Sequence, residues 1–290
     1  MNIKELLAST ESFFEKHDIP NPRLDAEVLL ADLLGMDRID LYVKFDYPLR
    51  QQELDRFRER VKRRAYREPV AYIIGQTEFM SLEFRVNNRV LLPRPETETL
   101  VERVLEICEL QQWDQPNIVD VGTGSGVIMV SLGYYLKGAK IAGIDLDEGA
   151  LEVARTNIEN YELGGRLKLI RGDLLEPLIR MGKDNVDIVV SNPPYVARED
   201  LDQLPPEVRR EPLVALDGGQ DGLELYRKLI PQSLEVLRPG GLLALEIGYN
   251  QLQAIQSLLE KGLWKRVDPE QDYSGHDRFI FAFKAGEKKE

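Results

Sequence analysis

The sequence is short of the residues that hold metals, disulfides and nucleic acids. Cys108 is the single cysteine among 290 residues, so no disulfide can form within the chain. With only 2 histidines beside it, a structural zinc site of the usual nitrogen and sulfur ligands is not expected. A reducing cytoplasm is the expected home. Cys108 shares helical spacing with Leu100, Val101, Val104 and Leu105, which predicts a core position rather than a nucleophile. Basic charge is scarce too: 38 Lys and Arg stand against 50 Asp and Glu, a net charge of −12. A general nucleic-acid binder needs the opposite balance to meet phosphates. Met1–Glu5 lack the long apolar stretch of a secretory leader, and no run approaches membrane-spanning length.

What is present is length enough for one large domain and a small one, and an apolar content of 43% to fill their cores. Residues 1–75 read as helical. Ile3, Leu6, Leu7, Phe13 and Phe14 recur at helical spacing, and a second helix around Leu24–Leu34 is stopped by Gly35. A third is predicted over 51–67, ended by Pro69. That helix is basic, with Arg56, Arg58, Arg60, Lys62, Arg63, Arg64 and Arg67. The favoured reading is a solvated face partnered along the helix by Glu53, Asp55 and Glu59; the other is a docking face for an acidic or nucleic-acid-bearing partner. Residues 76–92 read as a β-hairpin linker turning at Asn87-Asn88. A helix follows over Leu100–Trp113. From residue 117, strands are predicted at Ile118–Val121, Lys140–Asp145, Leu167–Arg171, Val186–Ser191, Leu242–Ile247 and Phe279–Phe283. Helices alternate with them near 126–137, 148–161, 223–238 and 250–261, before a charged tail, Lys284–Glu290. This alternation is the mark of a doubly wound α/β sheet.

The most informative stretch is Asn192-Pro193-Pro194-Tyr195, which follows the apolar run Val186, Ile188, Val189 and Val190. It gathers a carboxamide, peptide carbonyls and an aromatic ring at one strand tip. Proline has no N–H to give, so neighbouring carbonyls stay free to accept. Asn192 Oδ1 is a second acceptor, and the Tyr195 ring can lie against a flat amide or base. The set fits the task of holding a planar –NH2 group so that its nitrogen can attack. Asn-Pro also starts ordinary turns, so the tetrapeptide alone leaves that reading open.

The first strand of the alternating region ends in Asp120-Val121-Gly122-Thr123-Gly124-Ser125-Gly126 and runs into a helix. Glycines let a ligand approach main-chain N–H groups, and the helix start adds a positive dipole end. The spacing is G-x-G-x-G rather than the dinucleotide G-x-G-x-x-G, which points to a smaller ligand without pyrophosphate. Asp145, at the end of the next strand, suits two ribose hydroxyls. Asp173 can accept from an adenine amino group, with Leu174 packed on the ring. Gly122, Thr123, Gly124, Ser125, Gly126, Asp145, Asp173 and Leu174 together point to an adenosine ligand; carboxylates merely capping turns are the plainer alternative.

These residues resemble a class I S-adenosylmethionine-dependent methyltransferase of the branch that methylates planar nitrogens, either adenine N6 or protein glutamine. Three further stretches are similar to the peptide chain release factor glutamine N5-methyltransferase family. They are Leu92-Pro93-Arg94-Pro95-Glu96-Thr97-Glu98; Glu211-Pro212 through Ala215–Gly219 to Asp221-Gly222-Leu223; and Asp272 with Gly275-His276-Asp277-Arg278. The resemblance covers essentially the whole chain. It implies a doubly wound, mostly parallel seven-stranded methyltransferase sheet with a small N-terminal helical domain joined by a hairpin. The implied domains are a substrate-recognition domain over 1–75, a linker over 76–92 and the methyltransferase domain over 93–290. S-adenosyl-L-methionine is the implied cofactor, S-adenosyl-L-homocysteine the product, and a glutamine in the Gly-Gly-Gln loop of release factors the implied substrate. By match of motif, Asn192 and Pro193 bind the amide while Pro194 and Tyr195 shape its slot. Gly122–Gly126, Asp145, Asp173 and Asn192 contact the cofactor. The expected partners include neither nucleic acid nor membrane. A ribosomal-protein glutamine, adenine in a nucleic acid, and non-catalytic adenosine binding stay as alternatives.

The remaining polar residues are read more modestly. His276 has no visible partner and is expected to be structural or exposed. Arg94 and Glu96 are expected at the mouth of the pocket. Segment 196–222 has the length of a substrate lid. It carries its own Gly218-Gly219-Gln220, expected to be a turn rather than a target for self-methylation.

Overall fold

The computed structural model describes residues 1–260 and 262–286. Lys261, at the predicted end of the last helix, and the end of the charged tail lie outside the described residues. The chain divides into two compact units, one of Met1–Gln76 with Pro205–Arg210, the other of Thr77–Leu204 with Glu211–Glu290.

The first unit is helical: α1 Ile3–Glu15, α2 Pro22–Leu34, α3 Arg38–Val43, α4 Gln51–Ala65 and α5 Val70–Ile74. Asn2 caps α1 reciprocally with Glu5, each side chain accepting from the other's backbone N–H at 2.9 and 3.0 Å. Ile3, Leu7, Phe14, Leu29, Leu30, Leu41 and Phe57 are fully buried, each stabilising the fold by roughly 1.5–3 kcal/mol. The basic helix α4 departs from the expected solvated face. Arg58 and Lys62 do pair along the helix with Asp55 and Glu59. Arg60 instead reaches Asp32 at 2.6 Å, and Arg64 is buried with Asp25 at 2.7 Å and Glu207 at 3.0 Å. Arg67 adds a second cation on Glu207 at 3.1 Å. Long-range partners of this kind leave no periodic trace in a sequence. They fasten residues 205–210 of the segment that follows Tyr195 into the helical unit.

The second unit opens with a hairpin, β1 Gln76–Phe79 and β2 Leu82–Arg85. Its turn is Met80-Ser81, not Asn87-Asn88. Both turn residues take positive φ, 51° and 56°. That is the geometry a tight hairpin needs, but neither residue is the glycine or asparagine that usually signals it. Phe79, Leu82 and Phe84 are buried in the large core cluster, so the hairpin belongs to the body of this unit.

Then follow α6 Pro95–Leu110, β3 Asn117–Val121, α7 Val127–Tyr135, β4 Lys140–Asp145, α8 Glu148–Asn160, β5 Leu167–Arg171, α9 Glu176–Arg180 and β6 Val186–Ser191. After short helical turns between 198 and 215 come α10 Glu224–Val236, β7 Leu237–Glu246, α11 Leu252–Leu258, β8 Trp264–Gln271 and β9 Asp277–Lys284. The seven-stranded sheet has the order β5-β4-β3-β6-β7-β9-β8. β9 runs antiparallel to both neighbours, and the other pairs are parallel. Along β3 and β6, Ile118, Ile188 and Val190 face one core, while Val119, Val121 and Val189 face the other. Both faces are covered, as the unbroken apolar runs of parallel strands require. Cys108 lies in the first core, and burial pushes its thiol up to about 12. β8 escaped the sequence reading because it is an edge strand, polar and largely exposed along its length. No helix among the described residues is long and apolar enough to cross a membrane.

The chain leaves β3 for β4 on one side and returns for β6 on the other. The strand order therefore reverses between β3 and β6. Ligands of open α/β sheets bind at the carboxyl ends beside such a reversal.

Candidate active site

A cleft opens at the carboxyl ends of β3, β4, β5 and β6, with about 1090 Å³ of non-protein space, its mouth included. Gly122, Gly124, Asp145, Asp173, Leu174, Asn192, Pro193 and Pro194 line it. Thr123, Ser125, Gly126 and Tyr195 are not among the residues that line it.

The glycine loop is held from beneath. Asp120, fully buried, accepts from Thr123 Oγ1 at 2.6 Å and from the Met129 N–H at 3.2 Å, joining the loop to the first turn of α7. Burial pushes the Asp120 carboxyl up to about 7. Gly122 and Gly126 both take positive φ, 71° and 81°. They differ in what a side chain would meet. At Gly126 a Cβ would press on Ala154 Cβ at 3.2 Å, whereas at Gly122 it would meet nothing within 4 Å. Gly126 serves helix packing, and Gly122 keeps a face of the loop clear for a ligand.

Asp145 accepts from the Gly124 N–H at 2.9 Å and the Asp147 N–H at 3.0 Å, one on each carboxylate oxygen. Burial raises its pKa while those N–H groups pull it down. The remaining lone pairs of an acceptor-only group suit a pair of hydroxyls. A clear glycine face, a fixed carboxylate on β4 and Asp173 with Leu174 after β5 fit an adenosine-bearing cofactor.

The acceptor tip is built differently. Ser191 Oγ donates to the Val121 carbonyl at 2.7 Å, tying β6 to β3 at the point where they diverge. Asn192 Nδ2 donates to Thr97 Oγ1 at 3.1 Å, and Thr97 Oγ1 donates to Glu246 Oε2 at 2.7 Å. Among the described residues no donor reaches the Pro193 carbonyl. The Tyr195 carbonyl is taken by Gln251 Nε2 at 3.0 Å, and the same amide holds the Gly222 carbonyl at 3.1 Å. Burial pushes the Tyr195 phenol up to about 12, so it stays neutral. Gly218 packs so closely on Tyr195 that an added Cβ would lie 2.8 Å from its backbone. The segment around Gly218-Gly219-Gln220 thus buttresses the tetrapeptide, and Gln220 itself lines a separate polar hollow with Asp200, Asp221 and Arg227.

Several residues of the site were not named from the sequence. Arg89, Val90 and Leu91, just after the hairpin, line the cleft, as do Val214 and Ala215. Asn157 on α8 is fully buried and bonds the Arg85 N–H and C=O at 2.7 and 3.0 Å and the Ser125 carbonyl at 2.8 Å. The hairpin is thereby fixed to the glycine loop. Arg94 does not line the cleft as expected. It pairs with Glu211, which also accepts from the Leu92 N–H at 2.9 Å. Glu96 is absent from the lining as well. His276 is exposed, 3.8 Å from Asp272, whose carboxylate caps the turn before β9. The signal for Glu246 was an acid closing an apolar strand; for Thr97 it was the stretch Leu92–Glu98.

Comparison with known proteins shows the family of the chain. Residues 5–75 match the family described as PrmC N-terminal domain, and residues 97–204 the family described as methyltransferase small domain. A release factor glutamine methyltransferase of Geobacter sulfurreducens is 40% identical over 279 residues, covering 96% of this chain and 95% of that protein. One of Moorella thermoacetica is 40% identical over 288 residues, covering 99% of this chain and all of its own length. Among solved structures, the hMettl16 catalytic domain in complex with an RNA hairpin covers 82% of each chain with a TM-score of 0.58. At 18% identity that likeness speaks for the fold alone.

Proposed function

This chain belongs to the release factor glutamine methyltransferase family, and on that premise we propose that it methylates the glutamine side-chain amide in the Gly-Gly-Gln loop of peptide chain release factors. One observation carries the reading: Asn192 and Pro193, whose carbonyl no donor among the described residues reaches, line the same cleft as Gly122, Gly124 and Asp145. S-adenosylmethionine, when bound, supplies an electrophilic methyl carbon on sulfonium sulfur and leaves as S-adenosylhomocysteine. Gly122, Gly124, Asp145, Asp173 and Leu174 would hold it.

An amide nitrogen is a weak nucleophile because its lone pair is delocalised into the carbonyl. Asn192 Oδ1 and the Pro193 carbonyl answer this by accepting from its two N–H bonds. They fix the plane of the amide, and positioning of this kind supplies much of a transfer rate. As the N–C bond forms, positive charge develops on nitrogen and the same two oxygens bind it more strongly. Loss of the surplus proton from nitrogen to water frees a lone pair and restores the conjugation of the product amide. No side chain has to remove a proton first.

We assign recognition of the protein substrate to the N-terminal helical unit, since the residues lining the cleft come from position 89 onward. The place of action on this reading is the cytoplasm. Incubation with labelled S-adenosylmethionine and either a release factor, a ribosomal protein or duplex DNA tests it. Label is expected on the release factor glutamine alone. Label on a ribosomal protein or on adenine would replace the reading.

A further inference from the structure

We infer that Thr97 and Glu246 form a hydrogen-bond chain of fixed direction that decides which end of the Asn192 carboxamide faces the substrate, making both of them positioning residues. The inference rests on the amide-transfer reading and deepens it. The Thr97 hydroxyl has one proton to give and two neighbours, Glu246 Oε2 at 2.7 Å and the Asn192 carboxamide at 3.1 Å. An ionised carboxylate only accepts, so that proton goes to Glu246. The hydroxyl oxygen is then an acceptor, and the end of Asn192 that satisfies it is the NH2. Oδ1 must therefore face away from Thr97, toward the cleft that Asn192 lines. In the turned-over carboxamide Oδ1 would meet an oxygen whose proton is already committed, and Asn192 would offer N–H to a substrate that itself brings N–H. Thr97 is 3% and Glu246 1% exposed, so water does not compete for these bonds.

The direction holds while Glu246 is ionised. Around it stand Arg278 on β9, Arg94 and Glu96 at the start of α6, Tyr195 after β6, and Tyr226 on α10, whose hydroxyl donates to the Glu246 carbonyl at 2.8 Å. Burial pushes the Glu246 carboxyl up to about 7 against the pull of Thr97 and Arg278. A protonated Glu246 can reverse the chain, so kcat should climb as pH rises through that value.

The test compares Thr97→Val, Thr97→Ser, Asn192→Asp and Asn192→Asp with Glu246→Gln, using release factors that carry Gly-Gly-Gln or Gly-Gly-Glu. Thr97→Val keeps the shape and loses the hydroxyl. It should lower kcat by roughly 10²-fold, as a loosened reacting group does, with the cofactor Kd unchanged. Its binding preference for the glutamine form over the glutamate form, read by competition, should shrink about tenfold, since a carboxamide free to turn meets a carboxylate with N–H. Thr97→Ser should restore both. Asn192→Asp leaves two carboxylates sharing one hydroxyl proton and should be poor. Adding Glu246→Gln supplies an N–H that donates to the Thr97 oxygen, which frees the Thr97 proton for the new carboxylate at position 192. This double variant should recover about tenfold or more. Wild-type kcat and preference in Thr97→Val, or a double variant no better than Asn192→Asp, would overturn the inference. Should Thr97→Val not fold, the Asn192→Asp pair still decides. A wild-type enzyme that methylates no release factor would fail the amide reading itself, which is a separate result.

Discussion

The glycine wall of the cleft is fixed chiefly by main chain, and the Asn192 wall by a chain of buried side chains. On the first, Gly122 and Gly124 present backbone, and the carboxylate of Asp145 is itself fixed by two backbone N–H groups 2.9 and 3.0 Å away. On the second, the Asn192 carboxamide takes its orientation from Thr97 and Glu246, residues of α6 and β7. Binding an adenosine needs a surface that is present and clear. Aiming a lone pair needs a dipole that points one way and not the other. The two walls should therefore fail differently: damage to the first costs affinity, and damage to the second costs turnover.

The sharpest break in this contrast is Asn192→Ala. It removes an acceptor used most strongly in the transition state, so kcat should fall by roughly 10²–10³-fold or more. Cofactor binding measured by calorimetry should stay within a few-fold of wild type; a matching loss of cofactor affinity would erase the distinction between the walls. Asp145→Asn is the mirror experiment. It exchanges a charge-assisted acceptor for a neutral one and should weaken cofactor binding about tenfold. At saturating cofactor its kcat should remain near wild type, and a large kcat defect there would place Asp145 in the transfer itself. The smallest effect concerns stability. Burial raises the carboxyls of Asp120, under the first wall, and Glu246, behind the second, to about 7. Each folded-state pKa stands above its unfolded value. The stability these groups contribute is thus complete below the ordinary carboxylate range and is lost as pH rises through about 7. Urea midpoints should fall from pH 6 to pH 8.5, and Glu246→Gln should flatten part of that slope; a midpoint rising over that interval would contradict the burial of both.

The difference between the walls also explains what could be read in advance. The glycine loop and Asp145 sit at the ends of strands β3 and β4, and Asp173 just beyond β5, so local pattern gave both their element and their place near its tip. Asn192 to Tyr195 announced themselves in the same way. Thr97, Asn157 and Glu246 act through partners 32 to 149 residues away in the chain, and nothing in local spacing marks such a meeting. The hairpin turn was misplaced because Met80 and Ser81 adopt a conformation that Asn87-Asn88 advertises more loudly. The basic helix α4 was misread for a related reason: its charges are balanced by Asp25, Asp32 and Glu207, which no helical repeat reveals.

Asn157 bears on how this protein can vary. Its side chain grips both the N–H and the C=O of Arg85 as well as the carbonyl of Ser125. One residue inserted or deleted between Ser81 and Arg85 would turn those backbone groups to the opposite side of the strand and strand a buried amide. The hairpin is therefore held to a fixed length by a bond to a motif well downstream in the chain. Drift in chain length should collect instead at turns that answer to nothing else, such as the one around Gly164 and Gly165, where an added atom meets only open space.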